Sequence, residues 1–159
     1  MNLASIRGEM GQTRILIVDD HEIFRRGIRS LLEASPDIVI CGEASSGLEA
    51  LEKAKEFRPD VVLMDISMQG ITGLDATRLI RSEVPNSKII ILSQHDSLQM
   101  QSAATKMGAS AFVTKSQAAR SLIQAIDAVI KGQPYDWRNE DPIRKPRAST
   151  DKSNAKPCP

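Results

Sequence analysis

The stretch Arg58-Pro-Asp-Val-Val-Leu-Met-Asp-Ile-Ser-Met-Gln-Gly-Ile-Thr-Gly73 decides the fold of this chain. Within it, an apolar run from Val61 to Met64 leads directly into Asp65. A continuous apolar run is typical of a central strand in a parallel sheet, because helices cover both of its faces. We therefore expect Asp65 at the carboxyl end of a buried strand, the edge where open α/β sheets bind their ligands. Taken alone, Asp65 could equally begin a turn or cap the next helix.

The composition is that of a single globular domain with an aliphatic core. Of 159 residues, 41% are hydrophobic and 26% are charged, with one Trp, one Tyr and three Phe. A net charge of +1 gives no overall field that would attract nucleic acid or an anionic membrane. No stretch approaches the roughly 20 apolar residues of a transmembrane helix, and residues 1–12 lack the apolar core of a signal peptide. We expect a cytoplasmic protein without membrane contact.

Five apolar segments alternate with five segments of helical periodicity. Short connections between such elements imply right-handed crossovers and a parallel sheet covered on both faces. Of the two common doubly wound strand orders, 2-1-3-4-5 fits a five-stranded α/β fold. The predicted strands are 14–18, 38–41, 61–65, 88–92 and 110–113, and the predicted helices are about 21–34, 46–57, 72–85 and 97–107, with a fifth that ends at Gly132.

Polar residues follow four of the predicted strands. In the order 2-1-3-4-5, the first, third, fourth and fifth strands are successive neighbours at a spacing of ~4.8 Å. Their carboxyl ends carry Asp19-Asp20, Asp65, Ser93 and Lys115, respectively. Taken singly, Ser93 could cap a helix and Lys115 could be solvated at a helix start. Their joint placement predicts a functional site at this edge of the sheet.

This set of groups favours phosphoryl chemistry. Three crowded carboxylates repel one another unless a cation lies between them, and oxygen ligands at an open edge suit Mg²⁺. A carboxylate is also a nucleophile that forms an aspartyl phosphate. Phosphoryl transfer then needs positioning and charge stabilisation, which a metal, an ammonium group and a hydroxyl group supply.

From about residue 13 to residue 131, the chain resembles the receiver domain of a two-component response regulator. The motifs that carry the resemblance are Val18-Asp19-Asp20, Asp65-Ile-Ser-Met68 with Gly73, Leu92-Ser93 and Lys115. Two further segments, Gly73 to Arg78 and Leu92 to Asp96, resemble the NarL/FixJ (LuxR-type) branch, whose members usually carry a C-terminal helix-turn-helix output domain. The chain departs from the common pattern at Gln69 and Ser116, where proline is frequent.

The resemblance implies a flavodoxin-like receiver fold and a role for each motif residue. Asp65 would be the phosphoacceptor, and Mg²⁺ would be held by Asp19, Asp20, Asp65 and the backbone carbonyl of Ser67. Ser93 and Lys115 would bind the phosphoryl oxygens.

The resemblance also implies a conformational switch in which the Ser93 hydroxyl moves toward the phosphoryl group and Phe112 rotates inward. Ser67 and His95 would tune the lifetime of the phosphoryl group. Phe112 could instead be a static core aromatic, and Ser67 and His95 could be ordinary exposed loop residues.

The two ends of the chain are expected to lie outside the domain. Residues 1–12 read as a disordered leader, and residues 132–159 read as a flexible Pro-rich tail. The tail cannot supply the helices of a helix-turn-helix, so we expect no specific DNA binding by this chain. It is expected to be a stand-alone receiver or the receiver part of a transcription regulator.

The resemblance implies a sensor histidine kinase as phosphoryl donor. A homodimer would use either the first and fifth helices or the fourth helix, fifth strand and fifth helix. Beyond phosphotransfer onto itself and slow autodephosphorylation, no enzyme activity is expected. The alternative is a haloacid-dehalogenase-like phosphatase with Asp65 as nucleophile. Such an enzyme needs a second acid two residues later, where this chain has Ser67.

Overall fold

A computed structural model describes residues 11–135 and contains one five-stranded parallel sheet in the order β2-β1-β3-β4-β5. The predicted doubly wound α/β fold is therefore confirmed. The strands are β1 Thr13–Val18, β2 Ile38–Ala44, β3 Val61–Asp65, β4 Lys88–Ser93 and β5 Ala111–Thr114. The helices are α1 Glu22–Glu33, α2 Gly47–Phe57, α3 Gly73–Glu83, α4 Leu98–Lys106 and α5 Ala118–Ile130, with a 3₁₀ turn at Lys115–Gln117 before α5.

The core has two layers because side chains alternate between the faces of each strand. In β1, Leu16 and Val18 belong to a cluster with α2, α3 and α4, whereas Ile15 and Ile17 belong to a cluster with α1 and α5. All five residues of β3 are buried, as the unbroken apolar run predicts for a central strand covered on both faces.

The register brings the predicted polar residues to one edge of the sheet. Val18 pairs with Met64, so Asp19 follows β1 at the level of Asp65. Asp65 pairs with Leu92, which places Ser93 one residue beyond, and Ser93 pairs with Thr114, immediately before Lys115. The convergence predicted from the strand ends follows from this pairing.

The starts of α2 and α3 carry capping residues. The Ser46 hydroxyl accepts a hydrogen bond from the Glu49 N–H at 3.2 Å, and the Thr72 hydroxyl accepts one from the Asp75 N–H at 3.1 Å. These bonds satisfy N–H groups that have no partner within the helix.

The end of β2 differs from the prediction. This edge strand was predicted to end at Cys41, but it continues to Ala44. Its pairing with β1 shifts in register between Ile15 and Leu16.

The described residues continue a short way past the predicted domain end at residue 131. Tyr135 is half-buried against both core clusters, and its hydroxyl donates to the Ser121 carbonyl at 3.2 Å. Most of the predicted leader and of the predicted tail lies outside the described residues, so the domain limits stay predictions. Within residues 11–135, none of the helices has the length and apolar character needed to cross a membrane.

Candidate functional site

Four side chains at the carboxyl edge of the sheet form a compact acidic cluster. One ligand atom each from Asp19, Asp20, His21 and Asp65 can be chosen so that all lie within 4.8 Å of one another. Asp19 and Asp65 are only 1% and 2% exposed, whereas Asp20 and His21 are exposed. The cluster is therefore a buried base of two carboxylates with an open, polar mouth.

Lys115 neutralises part of the buried charge. Its Nζ lies 2.6 Å from Asp19 Oδ2 and 3.3 Å from Asp65 Oδ1, and its side chain is 9% exposed. The same ammonium lies 4.4 Å from the centroid of the Phe24 ring, a cation–π contact that helps to hold it in place. The Lys115 ammonium thus lies between two strand ends and contacts a carboxylate on each.

Asp65 is the least satisfied of the acidic groups. Its Oδ1 accepts a hydrogen bond from the Ser67 N–H at 3.3 Å, but its buried Oδ2 has no hydrogen-bond partner among the described residues. Burial raises the pKa of Asp65, the charge of Asp19 raises it further, and the Lys115 ammonium opposes both. A buried carboxylate oxygen without a partner is costly unless a ligand or a reaction uses it.

The donor set fits a hard divalent cation. The cluster offers three carboxylates, one of them with an orphaned oxygen, at an edge open enough for coordinated water. Carboxylate and water oxygens are the ligands that Mg²⁺ takes, usually with only one or two carboxylates directly bound. The three predicted carboxylate ligands are thus brought together, and the fourth predicted ligand, the Ser67 carbonyl, belongs to the exposed loop after β3.

The loop after β1 is held by bonds that the sequence did not reveal. The Asp19 carboxylate accepts the His21 N–H at 2.8 Å, and Arg25 Nη1 donates to the Asp19 carbonyl at 2.6 Å. His21 Nδ1 also lies 3.0 Å from Asp19 Oδ1 and 2.9 Å from Asp20 Oδ1. Sequence analysis missed His21 as a member of the cluster, although it directly follows the acidic pair.

Gly73 is required by close packing beneath the site. A Cβ at this position would lie 1.9 Å from the Asp65 carbonyl oxygen, which is a main-chain atom and cannot move aside cheaply. The Gly73 N–H donates a hydrogen bond to the Ile66 carbonyl at 3.0 Å, which links the start of α3 to the residue that follows β3. Gly73 therefore fixes the backbone that carries Asp65.

The remaining predicted residues lie around the cluster. Ser93 is 4% exposed at the end of β4, and its hydroxyl accepts the His95 N–H at 3.1 Å. Phe112 is 8% exposed and belongs to the core cluster on the α3–α4 side of the sheet. Ser67 and His95 are exposed, as their loop positions suggested. Their positions agree with the predicted roles, and the roles themselves stay predictions.

Comparison with known proteins identifies related sequences over most of the chain. The model of the response regulator receiver domain matches residues 15–127. The transcriptional regulatory protein LiaR of Bacillus subtilis is 40% identical over 121 residues, which are 76% of this chain and 57% of LiaR. The response regulator UvrY of Escherichia coli K12 is 41% identical over 121 residues, which are 76% of this chain and 56% of UvrY. The chain thus spans little more than half the length of these relatives.

Solved structures agree with these sequence matches. A two-component response regulator of the LuxR family from Aurantimonas is 38% identical, with a TM-score of 0.75 and coverage of 77% of this chain and 88% of that one. The signal receiver domain of the putative response regulator NarL from Mycobacterium tuberculosis is 31% identical, with a TM-score of 0.73 and coverage of 77% and 98%, respectively. None of these comparisons supports the phosphatase alternative.

Proposed function

This chain belongs to the response regulator receiver domain family, in its LuxR/NarL-type branch, and on that premise we propose that Asp65 accepts a phosphoryl group from a sensor histidine kinase. The observation that carries the proposal is the orphaned Oδ2 of Asp65, buried at the end of the central strand. Lys115 lies within ion-pair distance of the same carboxylate, and two more acids lie beside it.

Transfer is a displacement at phosphorus. An Asp65 carboxylate oxygen forms a bond to the phosphorus atom, the bond to the donor's imidazole nitrogen breaks, and an acyl phosphate results. The Lys115 ammonium binds a phosphoryl oxygen from one side, and the Ser93 hydroxyl binds another. Both groups stabilise charge that is already on the incoming phosphoryl group, which is the main requirement of this chemistry.

Magnesium would be held by Asp19, Asp20, Asp65 and the Ser67 carbonyl. When bound, it would neutralise the carboxylates and the phosphoryl oxygens. Asp65 keeps an oxygen without a partner among the described residues, and after it the exposed Asp20 is the carboxylate most available to the ion, because Asp19 is paired with Lys115. We expect loss of Asp20 to weaken Mg²⁺ binding strongly.

The Ser93 hydroxyl links phosphorylation to a change in shape. It now accepts the His95 N–H, and moving it toward a phosphoryl oxygen breaks that contact and frees the loop after β4. Phe112, which is already buried on the neighbouring strand, then rotates into the space that the Ser93 hydroxyl has left. This is a local charge event that biases a two-state element. Ser67 and His95, whose side chains are exposed, would tune access of water to the phosphoryl group.

The output is a change in protein contacts. Phosphorylation alters the surface of α4, β5 and α5, or that of α1 and α5, through which a second copy or another partner binds. The chain acts in the cytoplasm as the receiver of a transcription regulator or as a stand-alone receiver, with no enzyme activity beyond its own phosphorylation and slow dephosphorylation. We expect no specific DNA binding by residues 11–135, whose described elements are those of the receiver.

Beryllofluoride, which mimics an aspartyl phosphate, tests the proposal. With Mg²⁺ present, the unchanged chain should give a protein-bound ¹⁹F resonance and backbone shifts that reach Ser93 and Phe112. Asp65→Asn should give neither, while Asp37→Asn, at an exposed loop position remote from the site, should behave like the unchanged chain. A bound resonance in Asp65→Asn would overturn the assignment, and shifts confined to the acidic cluster would exclude the switch.

A further inference from the structure

Phe24 is a half-buried aromatic residue beside the site, and it is neither a phosphoryl-binding group nor a metal ligand. We propose that Phe24 is a positioning residue for phosphoryl transfer, in which the face of its ring holds the Lys115 ammonium where the phosphoryl oxygens arrive. The inference rests on the proposed function of Asp65 and assigns one more residue to it. In this role Phe24 acts through Lys115 and not on the phosphoryl group itself.

The position of the Phe24 ring is set by α1. Phe24 lies in the first turn of this helix, and Ile28 and Leu31 follow it at the spacing of one helix face. That face packs on the core cluster shared by α1 and α5, in which Ile28 is buried and the other two are partly buried. The apolar face of α1 therefore holds the ring in place beside Lys115, which comes from the far end of the sheet.

The Lys115 ammonium has three contacts. Its Nζ lies 2.6 Å from Asp19 Oδ2, 3.3 Å from Asp65 Oδ1 and 4.4 Å from the centroid of the Phe24 ring. A cation within about 6 Å of a ring centroid is attracted to the ring face, and the attraction is larger when water is excluded. Because the Lys115 side chain is only 9% exposed, the contact with the ring is made largely out of water.

The contact with the ring can persist through the reaction, whereas a contact with a carboxylate cannot. When an Asp65 oxygen forms the bond to phosphorus, the carboxylate becomes part of an acyl phosphate. The Lys115 ammonium must then exchange the Asp65 carboxylate for a phosphoryl oxygen. A ring face attracts a cation without a fixed hydrogen-bond direction, so Phe24 can hold the ammonium before and after this exchange.

A cavity beside the site offers the ammonium another place to go. Its volume is about 540 Å³, and both Phe24 and Lys115 line it, together with Ile28, Leu31 and Ala118. Water in this space competes for the ammonium, which is a strongly hydrated group. Replacing the ring with a smaller side chain enlarges the cavity next to Lys115. The fraction of molecules with the ammonium in place should then fall, and the rate of phosphoryl transfer should fall with it.

Fluorination of the Phe24 ring separates a cation–π contact from packing, because each fluorine weakens the negative potential of the ring face with little change in size. Mono-, di- and trifluorinated phenylalanine are incorporated at position 24 of the full chain. The initial rate of phosphorylation by acetyl phosphate with Mg²⁺ is then measured by intact-mass spectrometry. We expect the rate to fall at each step, by about 5-fold for the trifluorinated ring and about 10-fold for Phe24→Leu.

Phe57 provides the matched control. It ends α2, and its ring lies against Gly42 of β2, where a glycine Cβ would meet the ring at 3.1 Å. The same three fluorinated rings at position 57 should leave the rate unchanged. A second measurement needs no phosphoryl donor: the ring current of Phe24 should shift the Lys115 Hε resonances upfield in the unchanged chain, and Phe24→Leu should abolish that shift.

A Phe24 ring that only fills space gives a different result. All three fluorinated rings at position 24 would then react at the rate of the unchanged chain, even if Phe24→Leu were slower through lost packing. That outcome overturns the proposal, as would unshifted Lys115 Hε resonances in the unchanged chain. A chain that takes up no phosphoryl group on Asp65 overturns the proposed function as well, so the two failures are distinguishable.

Discussion

Replacing Lys115 with methionine should destabilise the fold through the carboxylates that the ammonium neutralises. The Nζ lies 2.6 Å from Asp19 and 3.3 Å from Asp65, and Coulomb's law with an effective dielectric constant of about 20 gives attractions of roughly 6 and 5 kcal/mol. The free energy needed to remove the ammonium from water cancels a large part of these two attractions. Removing one partner from a buried ion pair usually costs 3–5 kcal/mol. Because the mouth of the site is open, we expect the lower figure of about 3 kcal/mol at pH 7.

The assay is thermal and urea unfolding of Lys115→Met beside Lys131→Met. Lys131 forms a 2.9 Å pair with Asp127 in which both side chains are about 60% exposed, so its loss should cost under ~1 kcal/mol. For a domain of this size, 3 kcal/mol corresponds to a fall in Tm of roughly 12 °C. Mg²⁺ should restore part of the loss in Lys115→Met, because it supplies positive charge to the same carboxylates.

The pH dependence of this loss has a definite sign. Lys115 lowers the pKa of Asp65, so its removal should raise that pKa further above the ordinary 3.8. A raised folded-state pKa means that the fold is penalised once the carboxyl ionises, and the penalty is absent below the unfolded pKa. The difference between Lys115→Met and the unchanged chain should therefore shrink as pH falls toward 4. Equal losses in Lys115→Met and Lys131→Met, independent of pH, would refute the reasoning.

Three further changes test other parts of the structure by equilibrium unfolding. Gly73→Ala should lose about 3 kcal/mol or more, because its Cβ meets the Asp65 carbonyl oxygen at 1.9 Å, whereas Gly27→Ala, with open space around the new Cβ in α1, should be neutral or stabilising. Glu49→Gln should be less stable than the unchanged chain near neutral pH, and the difference should vanish as pH falls from 4.5 through about 2, since the side-chain contact with Lys53, followed by the bond from the Ser45 N–H, lowers the Glu49 pKa to about 2. Tyr135→Ala should lose about 2 kcal/mol and Tyr135→Phe about 1 kcal/mol, and no loss in Tyr135→Ala would mean that its packing against the core is unimportant.

Local patterns made most of the site predictable. Apolar runs locate the strands, and once the strand order is known, the residues that follow Val18, Met64, Leu92 and Thr114 must meet at one edge. The pairing of Lys115 with Asp19, closer than its contact with Asp65, depends instead on side-chain direction. Sequence spacing does not contain that information.

Two other features could not be predicted from the sequence, because they also depend on side-chain direction or tertiary contacts. His21 Nδ1 lies 3.0 Å from Asp19 Oδ1 and 2.9 Å from Asp20 Oδ1, and sequence spacing does not specify this side-chain direction. The return of the chain toward Tyr135 follows from a turn at Gly132, with φ +69°, in which the Gln133 N–H bonds the Ala128 carbonyl at 2.8 Å and the Gly132 N–H bonds the Val129 carbonyl at 3.1 Å. Glycine is read from sequence as the end of a helix, but the contacts made after the turn are tertiary.

The central claim is that Asp65 forms the acyl phosphate, and chemical trapping tests it directly. The full chain is incubated with acetyl phosphate and Mg²⁺ and reduced with borohydride, which converts an aspartyl phosphate to homoserine, and peptide mass spectrometry then locates the product. We predict homoserine at position 65 only, dependent on both acetyl phosphate and Mg²⁺, with none in Asp65→Asn. Homoserine at position 19 or 20 in the unchanged chain, or an unmodified Asp65 under conditions where the chain takes up phosphate, would contradict the account.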